Sequence, residues 1–331
     1  MMRRRRNLKL PAAVGTALLA LAGSPAPAAD GAANFPSKPI RIVVPSAPGG
    51  GNDVIARMLG PELTRSWKQQ VIADNRPGAG GIVGSQLVAK SPPDGHTLLI
   101  VAMGYAVNPS MYAKLPYDTL KDFERVTVVA RTPHVLVLHP SVPFRSLQEL
   151  IAYARAKPEQ ITFASSGVGT AGHLCLELLK SMTGIRVTHV PFKGTESVGA
   201  VVGGQVQMLF TAIAAVMPQI KAGRLKPLVT TGSARSPELP GVPTAAESGL
   251  KGYEVVGFYG VLAPGGTPPE IVARLRDEIV RAIQVPEIKT RLAGLGFEPA
   301  GSTPEEFTEL VKGEMVKWAR VIKDAGIKPE P

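Results

Sequence analysis

An apolar strand that runs into a glycine-rich turn and then opens a helix is a demanding local design, and this chain contains it twice. The first copy is IRIVV at 40–44, then Pro45-Ser46-Ala47-Pro48-Gly49-Gly50-Gly51-Asn52-Asp53, then a helical stretch from Val54. The second is ITFASS at 161–166, then Gly167-Val168-Gly169-Thr170-Ala171-Gly172, then a helical stretch from His173. Glycine allows close approach to the main chain, and a helix start presents unpaired N–H groups carrying partial positive charge. One such turn predicts an anion site. Two of them, far apart in the chain, predict a site with two walls.

The segments around these turns set the fold class. From 40 to 130, β-like and α-like segments alternate: QVIA at 70–73, a helical stretch at 82–90, the turn Pro92-Pro93-Asp94-Gly95, and a buried strand at 97–102. Alternation of this kind implies a largely parallel sheet covered on both faces. The β-branched run RVTVVARTPHVLVL at 125–138 is long for one strand and is expected to pass between two domains. A second α/β block follows. Ser146 to Glu149 form a capping box, and strands are expected at 186–190, 206–210 and 225–231, with helices at 198–202 and 217–222. EVVGFYGVLA at 254–263 is expected to cross back. Thr267-Pro268-Pro269-Glu270 and Thr303-Pro304-Glu305-Glu306 each place Thr at an N-cap, Pro at N1 and Glu at N3. Val311, Met315, Trp318 and Ile322 then mark one face of a final helix. Two crossings between α/β lobes make a hinged clam, with a ligand at the strand C-termini.

The first 28 residues read as a secretory signal: Arg3 to Arg6 and Lys9, an apolar run at 10–22, and Ala26-Pro27-Ala28. The apolar run is shorter than the ~20 residues a membrane span needs. Those five basic residues carry five of the chain's +11, leaving +6 for the remainder. That favours anions modestly, while the lack of a basic run interleaved with aromatics argues against nucleic acid. Cys175 is the only cysteine, so no intramolecular disulfide can form.

Gly167 to Gly172 is a literal G-x-G-x-x-G. A dinucleotide site also needs an acidic residue ending the next strand, and VTHVPFK at 187–193 supplies none. Anion capture by the same N–H groups fits better. Asp53 is expected to complement the helix dipole, or else to meet a ligand hydroxyl. His173 is open to donation to an anion or to capping. The five histidines show no metal-binding spacing and Ser165 and Ser166 no nucleophile elbow, so neither cofactor nor metal is expected.

The chain from Phe35 onward resembles the Bug family, periplasmic solute-binding receptors of tripartite tricarboxylate transporters. The resemblance rests on an ordered series: Lys38-Pro39-Ile40; Pro48-Gly49-Gly50 with Asp53 and Ala56-Arg57; Asn75-Arg76-Pro77-Gly78-Ala79-Gly80-Gly81; Pro93-Asp94-Gly95; Gly167 and Gly169 with His173-Leu174. It continues through His189-Val190-Pro191-Phe192-Lys193-Gly194, Gly203-Gly204-Gln205-Val206, Pro243-Thr244 with Glu247, and Ala263-Pro264-Gly265-Gly266-Thr267-Pro268. The resemblance implies a two-lobed α/β periplasmic binding protein, a Venus flytrap of type II-like form with two crossover segments. Lobe 1 is expected at 35–135 plus 256–331 and lobe 2 at 136–255. It implies a ligand-binding set of Ala47, Pro48, Gly49, Gly50, Asn52, Asp53, Ser165, Ser166, Gly167, Gly169, Thr170, His173 and Thr211. The implied ligand is a small organic carboxylate, held largely by main-chain groups and waters; Gly49, Gly50, Gly167 and Gly169 N–H groups are the expected donors. The implied partners are a large and a small membrane subunit, and the expected state is a monomer in the periplasm. Ser46 stands where an aromatic is common in the family, and Thr211 where Asp is. The alternatives are an exported enzyme using the G-x-G-x-x-G turn for a nucleotide, and a sensor for a membrane kinase.

Overall fold

A computed structural model of the protein describes residues 34–192 and 196–330; the expected signal segment, Lys193 and Gly194 lie outside them. The first α/β block comprises β1 (Ile40–Val44), α1 (Gly51–Trp67), β2 (Val71–Asn75), a 3-10 turn (Ala79–Gly81), α2 (Ile82–Ala89), β3 (Thr97–Ala102) and α3 (Gly104–Met111). After the long β4 (Phe123–Leu138) come α4 (Leu147–Ala156), β5 (Thr162–Ser165), α5 (Ala171–Thr183), β6 (Thr188–Pro191), α6 (Glu196–Val202), β7 (Met208–Ala212), α7 (Ile213–Lys221) and β8 (Lys226–Thr230). The chain ends with β9 (Val256–Pro264), α8 (Pro269–Gln284), α9 (Pro286–Gly294), the short β10 (Glu298–Pro299) and α10 (Pro304–Asp324).

The strands follow the order β2-β1-β3-β9-β4-β7-β5-β6, with β8 and β10 also paired to β4. β1 lies parallel between β2 and β3, with Ile40 opposite Val71 and Arg41 opposite Thr97. β5 lies parallel between β6 and β7. Between these two parallel cores stands an antiparallel spine, in which residues from Phe123 to Pro133 of β4 pair with β9. From His134 to Leu138 the same strand pairs with β7 and β8 instead. The β-branched run is therefore one strand serving two sheet halves, and the molecule is a two-domain α/β fold. One hydroxyl ties the return crossing to it. The fully buried Thr231 accepts from His134 N at 2.8 Å and donates to Val255 O at 2.5 Å.

Both faces of the strands are covered. Ile40, Ile42, Val44, Leu98 and Ile100 pack with α1 and α8 residues such as Leu59, Leu63, Leu275 and Ile279. Val43, Leu99 and Val101 face a larger core that continues through Leu136, Phe163 and Leu174 to Trp318. That continuity explains the near-unbroken apolar runs of the strands. α10 carries the full capping box at Thr303 and Glu306. Val311, Trp318 and Ile322 on its inner face are buried, while Met315 is half-buried against the core. Trp318 is fully buried and its Nε1 donates to Glu314 at 2.6 Å, so Trp318→Ala would cost about 3–5 kcal/mol.

Several boundaries differ from the sequence reading. At α8 the N-cap is Pro268 rather than Thr267, because the Thr267 hydroxyl donates to Pro264 O at 2.7 Å and closes the preceding turn. α7 begins at Ile213, earlier than expected, directly off the end of β7. α3 had no expectation at all, since its eight residues include Gly104 and Pro109.

Candidate functional site

The two glycine turns lie at the C-terminal ends of β1 and β5, each in a different sheet half, and each opens a long helix. Gly49, Gly167 and Gly169 have φ of +84°, +134° and +75°, conformations that side-chain-bearing residues rarely adopt. Ala47, Pro48 and Gly49 are exposed in the first turn, whereas Asn52 and Asp53 are buried beneath it. In the second, Ser166 and Val168 are exposed, Gly167, Gly169 and Thr170 half-buried, and Ser165 and His173 buried.

The first turn is braced by a carboxylate. Asp53 accepts from Gly49 N at 2.9 Å, from Arg57 Nε at 2.9 Å and from Asn75 Nδ2 at 2.9 Å. Asn75 also donates to Ser46 O at 3.1 Å, so the first residue of the Asn-Arg-Pro-Gly series holds the neighbouring turn in place. Burial raises the Asp53 pKa, but the Gly49 N–H, the Asn75 amide and Arg57 outweigh it and hold the carboxyl below the usual range. Asp53 therefore fills the structural role expected of it, in the first turn of α1.

The second turn is braced by neutral groups. Gly167 O accepts from the Ser165 hydroxyl at 3.0 Å and the Thr170 hydroxyl at 2.7 Å, and Gly167 N donates back to Ser165 Oγ at 3.2 Å. Gly169 N donates to His173 Nδ1 at 3.1 Å, and His173 Nε2 lies 3.5 Å from Glu177. Both ring nitrogens of His173 are thus used inside the fold, so it caps the turn rather than offering a proton to an anion. His189 stacks on it with ring centroids 4.1 Å apart, and its Nε2 lies 2.6 Å from Ser165 Oγ. Burial, then the neighbouring His173, pulls the His189 pKa down to about 4.

The four N–H groups singled out in the sequence are consequently engaged at home. Gly49 N goes to Asp53, Gly50 N to Ala47 O at 3.3 Å, Gly167 N to Ser165 and Gly169 N to His173. A helix start leaves its first N–H groups without intrahelical partners, and here Val54 N reaches back to Gly50 O and Leu174 N to Thr170 O. The donors left over are those of Gly51 to Asp53 and of Ala171 to His173. Gly172 sits hard against the sheet: a Cβ there would lie 2.5 Å from Phe210 O, next to the half-buried Thr211 on β7. α3 touches both the second turn and the 77–81 loop. A Cβ on Gly169 would lie 2.9 Å from Met111 Cε at one end of that helix, and Asn108 within it donates to Gly80 O at 3.2 Å.

Beside the first turn is a cavity of about 380 Å³ that the sequence reading missed. The turn residues Ser46 and Asn52, the Pro77 to Gly81 loop, and Ala102, Tyr105 and Asn108 line it. The density of glycine at 78–81 was a visible signal, but α3, which forms the facing wall, was not.

Two glycine-turn helix starts on either side of a two-stranded crossover define a two-domain solute-binding protein of the periplasmic kind. The family description "Tripartite tricarboxylate transporter family receptor" matches residues 55–327, and the chain belongs to that family, which includes the Bug-named periplasmic receptors. BugT of Bordetella pertussis is 36% identical over 323 residues, 97% of this chain and 98% of that protein. Among solved structures, Rpa4515 of R. palustris with adipate is 36% identical with a TM-score of 0.77, covering 89% of this chain and all of that one. MatC of Rhodopseudomonas palustris with bound malate is 33% identical with a TM-score of 0.74, covering 87% and 100%.

Proposed function

We propose that this protein captures a small organic carboxylate between the two domains and presents it to the large and small membrane subunits of a tripartite transporter. The lobes are 35–135 with the chain from 256 onward, and 136–255, hinged where β4 changes partners and where the chain re-enters β9. The chain is exported by its first 28 residues and acts as a binding protein without turnover. The observation that carries this reading is the pair of helix starts, α1 and α5, each leaving main-chain donors at the strand C-termini of a separate sheet half. Adipate and malate in two relatives supply the chemical class.

The carboxylate belongs at the second turn. α5 has no acidic residue in its first turn, whereas α1 already holds Asp53 there. A second anion beside Asp53 would meet like-charge repulsion. Ala171, Gly172 and His173 N–H groups are the donors, with the exposed Ser166 at the rim and Thr211 on the neighbouring strand. A thermal-shift panel of four- to eight-carbon carboxylates tests this, because ligand at ~100 times its Kd stabilises by ~2.7 kcal/mol. A shift with carboxylates and none with the matching amides supports it. A panel without a single shift overturns it.

A further inference from the structure

The two lobes proposed above also meet away from the glycine turns, beside the point where β4 changes partners. A cavity of about 220 Å³ lies there, walled by Pro133 of β4, by Ile213 and the 236–238 loop, and by Phe297 and Glu298. The neighbouring contact is close: a Cβ on Gly296 would lie 2.7 Å from Ala214 Cβ and 3.0 Å from Ala214 N. α7 starts directly off the C-terminal end of β7. β7 runs parallel to β5, whose own C-terminal end carries the second turn. The seam therefore lies on the cleft side of the hinge, and a rotation that opens the cleft parts the seam as well.

Most of the wall is apolar, and each lobe brings one carboxylate to it: Glu238 from the 236–238 loop and Glu298 from β10. Each has a cation on its own lobe. Lys221, at the end of α7, acts on Glu238 and lines an adjoining cavity with it. Arg131 of β4 stands opposite Glu298 in the ladder and acts on it. Arg235, three residues before Glu238, is held by Glu247 at 2.8 Å, and α9 brings the uncharged Ala293 and Gly294 to the two cavities. Across the seam the charges thus run cation, carboxylate, carboxylate, cation, with the like charges in the middle. Burial, then the Glu298 carboxylate, raises the Glu238 pKa above the usual range. Burial raises Glu298 as well, with Arg131 opposing it.

Resting on the two-lobed carboxylate reading above, we infer that Glu238 and Glu298 form a pH-dependent brake on closure: ionised they push the lobes apart, and protonated they let the seam shut, so the protein holds its carboxylate more tightly in mildly acidic surroundings than at neutral pH. Parting the lobes removes each carboxyl from the other's field and returns both toward the ordinary glutamate value of about 4.3. A group whose pKa is higher in the closed form favours closure fully below its ordinary value and loses that advantage as pH rises through the raised one. Closure and capture are linked, so capture takes up protons in that window.

Calorimetric titration with adipate and with malate, at pH 7.5 and 5.0, tests the brake. Comparing variants with wild type at each pH cancels the ionisation of the acid itself. At pH 7.5, Glu238→Gln and Glu298→Gln are each expected to bind roughly two- to fivefold more tightly than wild type, the size expected for charges that water still reaches. The margin should shrink at pH 5.0. Lys221→Ala leaves the carboxylates in place and removes a cation, so it should shift affinity the other way. Circular dichroism and melting check the folding of each variant. Small-angle scattering of the unliganded protein adds a readout that needs no ligand: wild type should be more compact at pH 5.0 than at 7.5, and the double glutamine variant compact at both. Glutamine variants that bind no more tightly than wild type at pH 7.5 overturn the brake while the carboxylate reading stands. If neither acid binds, scattering decides the brake, and identical curves for wild type and the double variant at both pH values overturn it. The wider carboxylate panel then decides the carboxylate reading separately.

Discussion

The two glycine turns are built on the same plan and finished in opposite ways. In the first, a buried carboxylate holds the loop from beneath, so Asp53 supplies the negative charge that the start of α1 favours. In the second, hydroxyls and an imidazole do the bracing, and the first turn of α5 carries no acidic side chain. Similar backbones can thus line one cleft with different chemistry on each wall. The difference lies in side chains below the turns, not in the glycines that mark them.

The largest effect expected from breaking this comparison is at Gly172. In an ordinary helix Gly→Ala stabilises by up to ~1 kcal/mol, but here the added Cβ would collide with Phe210 O, a backbone atom in β7. Gly172→Ala should cost about 3 kcal/mol in chemical denaturation. At Gly51, the first residue of α1 and one position before the counterpart of Gly172, the obstacle is the Tyr259 side chain, which can shift more readily than backbone. Gly51→Ala should cost less, about 1–2 kcal/mol. Equal losses would show that the second turn is not pinned to its sheet as the structure has it.

Next come the braces themselves. Asp53→Ala removes the acceptor of three hydrogen bonds, from the Gly49 N–H, Arg57 and Asn75, for a loss of about 2–3 kcal/mol. His173→Asn exchanges a neutral hydrogen bond to Gly169 N and should cost about 1 kcal/mol, measured by the same denaturation. The reverse order would mean that the charge on Asp53 is not what secures the first turn.

Much of this was legible in the sequence, and the exceptions have physical reasons. Strand-turn-helix units announce themselves through apolar runs and glycine, so β1, β5, α1 and α5 were visible, as was the capping box of α10. The length of β4 was visible too, because the largely β-branched and apolar run at 125–138 is longer than a normal strand. The direction of individual N–H groups was not. Gly49 and Gly169 looked like donors to a ligand, yet a carboxylate and an imidazole four residues onward take them. A side chain at i+4 that folds back under a turn leaves the same sequence pattern as one that faces the ligand. The cavity wall at α3 was hidden for another reason: eight residues interrupted by proline carry no periodicity to detect.

Acid should separate the turns by pH. His189 titrates at about 4 in the folded protein against about 6.5 unfolded, so between those values the unfolded chain binds more protons and stability falls as pH drops. The charged and titratable groups acting on it are His173, Glu177 and Lys180. Asp53 has its folded pKa below the unfolded value of about 3.9, so its contribution holds above that pH and is lost only as pH falls through the folded value. Melting curves from pH 7 to 3 should show wild type losing ground to His189→Gln between about 6.5 and 4. The gap between wild type and Asp53→Asn should stay level until below about 4. His134, also near 4, is common to all three proteins and cancels. Loss at the first turn in the upper window would contradict the assignment of braces.

The smallest effect concerns the contact of the second turn with α3, which the first turn lacks at Gly49. Gly49→Ala adds a Cβ with nothing within 4 Å, so only the strain of φ +84° is felt, about 1–2 kcal/mol. Gly169→Ala carries similar strain at φ +75°, and its Cβ also presses on Met111 Cε, the mobile tip of a flexible side chain. A double-mutant cycle separates the two terms. Met111→Ala combined with Gly169→Ala should show a coupling of about 0.5 kcal/mol, as truncating Met111 relieves the contact. Combined with Gly49→Ala it should add within experimental error, since those residues do not touch. If the lobes are those proposed above, Met111 and Gly169 lie on different ones, and opening about the proposed hinge would separate them. The coupling should therefore grow when a carboxylate is bound. A coupling that is the same with and without ligand would mean that the second turn and α3 move together, and that closure occurs about some other line.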